Sequence, residues 1–193
     1  AMVERVTVPD MMNAREARAQ AQHMLLERHP GASVVCLCMN IAGPVKRTEK
    51  LERAFAWGAS AVRAVLEPYE TLFDAEIHEK TGPEAMLCLH GNALEIKRRL
   101  CFLEDGCALG RLLDIDVIAP DGRKLSRTEI GLSPRKCLQP YAKTMRLSAQ
   151  EAARTVPTSS LPVQAKSSTR ILKRLLSGAQ RKMHSARCSA RLP

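Results

Sequence analysis

The sequence of 193 residues lacks the features that mark membrane-spanning, disulfide-rich and zinc-binding proteins. No apolar run approaches the roughly 20 residues that a membrane-spanning helix requires, which excludes an integral membrane protein. The seven cysteines are odd in number and include no Cys-x-x-Cys pair, which argues against a disulfide framework and against a zinc site. We therefore expect reduced thiols in a cytoplasmic protein.

Aromatic residues and familiar nucleotide-binding motifs are also scarce. The sequence contains no Walker-type loop, no Gly-x-Gly-x-x-Gly and no His-Glu-x-x-His. Aromatic residues make up 3% of the chain, which leaves base stacking on single-stranded nucleic acid unsupported. What is present is enough apolar sequence, 45% of residues, to exclude a wholly disordered chain and to form one domain with a core.

Positive charge is confined to the C-terminal part of the chain. The net charge is +10, yet residues 1–137 contain 19 basic and 19 acidic residues, whereas residues 138–193 contain 11 basic residues and one acid. The charge therefore gives no reason to expect nucleic-acid binding by the part that folds. We predict a folded domain over 1–137 and a basic tail, rich in Ser, Pro and Arg, over 138–193.

The hydrophobic pattern predicts three helices and four strands. Two strands are continuously apolar, as expected for strands covered on both faces, and two alternate between apolar and polar residues. In chain order the predicted elements are a helix over Met11–His29, a strand over Val34–Met39, a helix capped by Thr48, strands over Thr71–Glu79 and Ala85–Leu89, a helix capped by Asn92, and a strand over Leu112–Ile118.

The order of these elements predicts an α+β fold. After the first helix the order is β-α-β-β-α-β, which is typical of a ferredoxin-like antiparallel sheet with helices on one face. In that sheet the first and third strands are central, and here these are the continuously apolar ones. Pattern and topology therefore agree, with an additional N-terminal helix and an irregular basic tail.

Asp114 and Asp116 are the first candidates for chemistry. Residues two apart on a strand point to the same face, so the two carboxylates can converge on a hard cation such as Mg²⁺. The alternative is an ordinary solvent-facing strand, on which acids alternate with apolar residues. His78, in the other alternating strand, is predicted to face solvent as well.

Basic residues surround the aspartate pair in the sequence. Arg111 precedes it, Arg123, Lys124 and Arg127 follow it, and Lys46 lies in the Gly-Pro turn after the first strand. Taken singly, each is an ordinary surface charge. Together with two carboxylates they suit a metal–polyphosphate ligand, because Arg binds phosphate oxygens bidentately and Lys binds them as a point charge.

Four segments around these residues resemble a known enzyme family. They are Asn40–Lys46, Thr81–Ala85, Gly110–Val117 and Gly122–Arg127, which stand in the order found in holo-citrate lyase synthase, also called apo-citrate lyase phosphoribosyl-dephospho-CoA transferase. The resemblance covers about residues 5–138. Its joint pattern is specific, although no single segment is.

The resemblance implies a reaction and its partners. The family is a nucleotidyltransferase-type enzyme of citrate fermentation. It transfers 2′-(5″-phosphoribosyl)-3′-dephospho-CoA from its 5″-triphosphate precursor to a serine of the citrate lyase acyl carrier subunit, and pyrophosphate leaves. Asp114 and Asp116 would then hold Mg²⁺, or one of them would take the serine proton, and the sequence leaves both roles open. The five basic residues would bind phosphate.

The tail departs from the family pattern. Arg135-Lys136-Cys137-Leu138 matches, but Gln139-Pro140 follows, and the cysteines expected further on are missing. A Ser-, Pro- and Arg-rich tail with one acid predicts either a disordered segment or a shifted reading frame near residue 138.

Two other functions are consistent with the sequence. One is the equivalent transfer to the carrier subunit of malonate decarboxylase, although the Asn-Ile-x-Gly-Pro and Thr-Gly-Pro-Glu-Ala segments favour citrate lyase. The other is a binding module whose basic tail contacts RNA or an anionic surface, with an affinity that falls steeply as salt rises.

Overall fold

The computed structural model describes residues 4–135 as an α+β fold, with three helices and a four-stranded antiparallel sheet. This confirms the predicted fold class. The predicted tail, 138–193, lies outside the described residues. In chain order the elements are α1 (Val8–Arg28), β1 (Ser33–Met39), α2 (Glu49–Leu66), β2 (Glu70–Glu79), β3 (Gly82–His90), α3 (Ala93–Gly106) and β4 (Leu113–Ile118).

The sheet has the order β2-β3-β1-β4, and every neighbouring pair is antiparallel. The two continuously apolar strands, β1 and β3, are therefore central, and the alternating strands β2 and β4 lie at the edges. Central strands are buried on both faces, which is why their sequences do not alternate. The edge position of β4 exposes one face and one side of the strand that carries Asp114 and Asp116.

Side-chain caps fix where the helices begin. Thr48 and Asn92 cap α2 and α3 as predicted, each accepting hydrogen bonds from backbone N–H groups of the first turn. The first helix begins at Val8 rather than at the predicted Met11. Its start is set by a reciprocal capping box in which Thr7 and Asp10 satisfy each other's backbone N–H groups.

The two faces of the sheet pack against different helices. α2 and α3 cover one face, where Phe55 and Leu100 are fully buried among the side chains of β1, β3 and β4. α1 covers the opposite face, where Ala21 and Leu25 pack over Cys36 of β1. Burying a side chain such as Leu or Phe stabilises the fold by about 1.5–3 kcal/mol, so both layers contribute to one structure. None of the helices among residues 4–135 is long and apolar enough to cross a membrane.

His78 is not a solvent-facing residue, and this prediction was wrong. Its side chain is 14% exposed and lies beneath α2, edge-on to the Phe55 ring. Nδ1 lies 2.5 Å from a carboxylate oxygen of Glu52, and Nε2 lies 3.4 Å from Glu76. These bonds, with Glu76 first and Glu52 after it, raise the pKa of His78, while burial opposes them. The polar face of β2 is a covered ionic layer, because α2 lies over it.

Candidate functional site

Asp114 and Asp116 lie on the sheet face that α1 partly covers. Leu113, Ile115 and Val117 point into the core formed with α2 and α3, so the alternating aspartates point the other way. Asp114 is exposed and stands opposite Cys38 of β1, while Asp116 is half-buried opposite Cys36. The two aspartates therefore share one face at the edge of the sheet, as the alternation predicted.

The outer side of β4 is held by side chains along most of its length and by a short backbone contact at its end, where the N–H of Leu125 donates to the carbonyl of Val117 at 2.8 Å. Buried Lys97 of α3 donates to the carbonyl of Ile115 at 2.8 Å, and the N–H of Ile115 donates to Glu104 of the same helix at 3.1 Å. Arg135 donates to the carbonyl of Leu113 at 2.8 Å. Without these bonds, the unpaired backbone N–H and C=O groups of this edge strand would be open to pairing with another chain. The position of the aspartates on β4 is fixed by these bonds.

Glu104 connects several of these contacts. It is 3% exposed, and its second carboxylate oxygen accepts from Arg127 at 3.2 Å, while Arg135 lies 3.4 Å from the first. Burial raises the pKa of Glu104, and the nearby Arg135, the N–H of Ile115 and the other cations only partly offset this. The carboxylate thus serves as a buried link between α3, β4 and the segment after β4.

Gly110 brings the end of α3 close to the start of β4. It opens a short 3₁₀ turn, Gly110–Leu112, whose next residue is Arg111. A Cβ on Gly110 would lie 2.5 Å from the carbonyl oxygen of Leu103 and 2.6 Å from that of Glu104, both of them backbone atoms. Only glycine permits this approach without a backbone shift. Arg111 is thereby placed two residues before Leu113 and the strand.

Among the predicted basic residues, Lys124 is the one with a described bond to the aspartate pair. Its ammonium donates to Asp116 at 2.7 Å, and its side chain is 61% exposed. Arg123 lies in the same turn, where it pairs with Glu129 and lies 3.7 Å from Asp121. The loop after β4 therefore brings the long, exposed side chain of Lys124 to the aspartates, whereas Arg123 contacts acidic residues of the loop itself.

Arg127 and Lys46 point elsewhere. Arg127 bonds to Glu104 and Asp105 of α3, on the sheet face opposite the aspartates, so the structure does not bring it to the pair. Lys46 donates to the carbonyl of Ile41 within its own loop, and its backbone lies beside Gly82 at the β2–β3 turn. Partial burial lowers the pKa of Lys46. Their assignment to phosphate binding stays a prediction.

The sequence did not reveal Arg18 and Glu84, which lie on the same sheet face as the aspartates. Arg18 of α1 donates through two nitrogens to both carboxylate oxygens of Glu84 of β3. Gln22, one helical turn beyond Arg18, donates to the sulfur of Cys36 at 3.0 Å. In the structure β3 begins at Gly82 and not at the predicted Ala85, so Glu84 lies within a buried strand. The signal in the sequence is a charged residue directly before a continuous apolar run.

The two cysteines between these groups are neutral packing residues, as expected from the sequence. Burial raises the pKa of the Cys36 thiol to about 12, against the lowering effects of Gln22 and Arg18. Burial also raises the pKa of Cys38, with the negative charge of Glu84 adding to it. Neither thiol is therefore a thiolate near pH 7, and the polar character of this face comes from its carboxylates, Arg18 and Lys124.

Comparison with known proteins points to one family. A family described as apo-citrate lyase phosphoribosyl-dephospho-CoA transferase matches residues 6–141. Proteins named apo-citrate lyase phosphoribosyl-dephospho-CoA transferase from Shigella boydii serotype 18 and Escherichia coli O157:H7 are each 36% identical over 135 residues, which is 69% of this chain and 73% of theirs. The matched region includes the strand with both aspartates, the loop that follows it, and Arg18 and Glu84. The chain therefore belongs to the apo-citrate lyase phosphoribosyl-dephospho-CoA transferase family, a family of nucleotidyltransferase-type enzymes.

Proposed function

We propose that this chain transfers 2′-(5″-phosphoribosyl)-3′-dephospho-CoA from its 5″-triphosphate precursor to a serine of the citrate lyase acyl carrier subunit. The names of its relatives support the transferred group and the acceptor. The observation that carries the chemistry is the pair Asp114 and Asp116 on one exposed face of a strand whose outer edge is fixed. Because this face is open, a large nucleotide and a protein acceptor can approach it together.

The proposed reaction is a substitution at phosphorus. The serine oxygen forms a bond to the phosphorus nearest the ribose, the bond from that phosphorus to the bridging oxygen breaks, and diphosphate leaves with the bonding electrons. The serine proton passes to a base, a role that either aspartate can fill.

The donor set on β4 suits a magnesium ion. Mg²⁺ takes oxygen ligands, keeps several waters and is commonly held by one or two carboxylates together with substrate phosphates. Asp114 and Asp116 would supply those carboxylates, and the exposed Lys124 that now pairs with Asp116 is free to rotate away. When bound, Mg²⁺ would neutralise charge on the transferring phosphoryl group and on diphosphate.

Basic side chains would complete the binding of the triphosphate. Lys124 stands beside Asp116 and would bind phosphate oxygens once its ion pair opens, with Arg111 and Arg123 flanking the same strand. Lys46 and Arg127 would have to exchange their present partners to take part. We therefore place Lys124 at the centre of phosphate binding among these five.

The architecture and the thiols support the remaining parts of the proposal. The order β2-β3-β1-β4 with antiparallel neighbours supports a ferredoxin-like arrangement of the βαββαβ unit. Five cysteines lie among residues 4–135, all unpaired, which supports a reducing compartment such as the cytoplasm.

Intact-mass analysis of the carrier protein tests the function. The apo carrier of citrate lyase is incubated with this chain, the triphosphate precursor and Mg²⁺, and a parallel sample carries Asp114→Asn with Asp116→Asn. We expect a mass gain of one phosphoribosyl-dephospho-CoA group with the unmodified chain and none with the double variant. Asp74→Asn is the matched control, because Asp74, like Asp116, is an ion-paired aspartate on an edge strand, but it lies on the other side of the sheet.

The same assay separates the alternatives. A gain on the malonate decarboxylase carrier that exceeds the gain on the citrate lyase carrier would reassign the acceptor. No gain on either carrier from a folded chain would reject the transfer reaction. A double variant that transfers as fast as the Asp74→Asn control would reject the role of the aspartates.

A further inference from the structure

The Arg18–Glu84 pair fixes the direction of a guanidinium group on the aspartate face. Nε of Arg18 donates to one carboxylate oxygen at 2.9 Å, and Nη2 donates to the other. The side chains are 20% and 12% exposed, so the pair is largely sheltered from water. A fork of two parallel bonds holds the plane of the guanidinium, which a single contact would leave free to turn.

The third nitrogen of this guanidinium has no partner among residues 4–135. Nη1 of Arg18 makes no hydrogen bond to the described part of the chain. The Arg18 side chain is 20% exposed, and Nη1 is not among the fully buried atoms of that region that lack a partner. The N–H donors of Nη1 are therefore open to a ligand from a fixed position.

These donors belong to the same face as Asp114 and Asp116. Leu37 of β1 pairs with Ala85, so one step further along the register sets Glu84 beside Cys38, and Cys38 itself stands opposite Asp114. Neighbouring strands are about 4.8 Å apart, so Glu84 and Asp114 are separated by about 10 Å at the backbone. Burial raises the pKa of the Cys38 thiol, the charges of Glu84 and Asp114 raise it further, and Arg18 lowers it, as expected for groups that surround one side chain.

Stability alone is a weak reason for this pair. Removing two charges from water costs free energy, and an apolar pair of similar volume is often equally stable or more stable. Besides the bond from Gln22 to Cys36, the α1 interface is formed by apolar residues such as Ala21 and Leu25, which pack on the sheet. A buried ion pair at the end of that interface, next to two acidic side chains and open to solvent at one nitrogen, fits a binding role.

We propose that Arg18 binds a phosphate oxygen of the polyphosphate substrate at the aspartate face, and that Glu84 is the positioning residue that fixes its guanidinium. This rests on the proposed function for the identity of the substrate, but the anion-binding role itself does not. Arg18 supplies, from α1, a cation on the inner side of the face, while Lys124 supplies one on its outer side. A polyphosphate between them would lie over Asp114 and Asp116.

The test uses inorganic triphosphate with Mg²⁺ as the probe, so that it needs neither the carrier nor the precursor. Binding is measured by calorimetry for the full chain and for Arg18→Lys, which keeps the charge and loses the fork. We expect the affinity to fall about tenfold or more, because a hydrogen bond to a charged group accounts for that range. In the transfer assay, KM for the precursor should rise by a similar factor, with a smaller change in kcat.

Arg63→Lys is the matched control. Arg63 also donates through two nitrogens to a carboxylate, that of Asp74, but on the opposite face of the sheet. The affinity of the Arg63→Lys variant for triphosphate should stay within about twofold of that of the unmodified chain, because the two-bond contact that it removes lies away from the site. Glu84→Gln should weaken binding less than Arg18→Lys, because the charge stays while its orientation is loosened.

A separate variant covers the case in which a single substitution unfolds the chain. Arg18→Gln with Glu84→Gln replaces the ion pair by two facing amides and leaves no buried charge unpaired. If this variant or Arg18→Lys is folded and binds triphosphate as tightly as Arg63→Lys, Arg18 only anchors α1 and the proposal is overturned. If binding depends on Arg18 but no carrier is modified, the transfer function fails and the anion-binding role stands.

Discussion

Replacing Glu104 tests how the strand with the two aspartates is held in place. Its buried carboxylate accepts from the N–H of Ile115 at 3.1 Å and from Arg127 at 3.2 Å. Glu104→Ala leaves that backbone donor without a partner, which costs about 1–3 kcal/mol, and breaks a buried ion pair, which costs about 3–5 kcal/mol when nothing replaces it. Arg127 keeps its bond to Asp105, so we expect a total loss of about 3–4 kcal/mol.

Glu104→Gln should cost less than Glu104→Ala. Glutamine keeps the volume and an oxygen that can accept from Ile115, and it loses only the charge. Burial raises the pKa of Glu104, which means that its surroundings oppose the charge that glutamine lacks. We expect a loss of about 1–2 kcal/mol, the range for hydrogen bonds that lose their ionic character.

Urea unfolding of the full chain, followed by far-ultraviolet circular dichroism, measures both losses. With a slope of about 2 kcal/mol per molar urea, Glu104→Ala should lower the midpoint by about 1.5–2 M. The control is Glu95→Gln on the same helix, where the pair with Arg99 is exposed to solvent and contributes little to stability. The reasoning is refuted if Glu104→Ala lowers the midpoint no more than Glu95→Gln does.

Two further predictions concern the backbone before β4 and the ionic layer under α2. Gly110→Ala should destabilise the fold by about 1–3 kcal/mol, because its Cβ meets backbone carbonyls, while Gly106→Ala, which meets nothing, should be neutral or slightly stabilising in the same urea assay. Hydrogen bonds to Glu76 and Glu52 raise the pKa of His78 in the folded state. The stabilisation from protonated His78 is therefore complete below the ordinary pKa of histidine and is lost as pH rises through the pKa in the folded state. Stability should therefore fall as pH rises above about 6.5, the ordinary pKa of histidine, and His78→Gln should flatten that slope; an unchanged slope would contradict it.

The parts of the site that the sequence predicted are those set by local pattern. Strict alternation in β4 put Asp114 and Asp116 on one face, because side chains on a strand alternate whatever surrounds them. Thr48 and Asn92 were found as helix caps because a cap acts on its own first turn. The central positions of β1 and β3 followed from their continuous apolar sequence, which an edge strand does not need.

The parts that the sequence missed depend on contacts between distant segments. Arg18 and Glu84 are 66 residues apart, and nothing in either local sequence says that a helix turn crosses that strand end. Arg127 was grouped with the aspartates because it follows them closely, yet its loop turns onto α3 and finds Glu104. The alternation of β2 predicts that His78 faces solvent. In the structure α2 lies over that polar face, where Glu52 binds His78 and Arg63 binds Glu76.

The position of the described contacts bears on the unusual end of the chain. The side-chain bonds that hold the outer edge of β4 come from Lys97, Glu104 and Arg135. Arg135 is the last residue that the structure describes, and it opens the Arg135-Lys136-Cys137-Leu138 segment, where the family pattern in the sequence ends. The strand with both aspartates is therefore fixed by residues that precede the divergent tail.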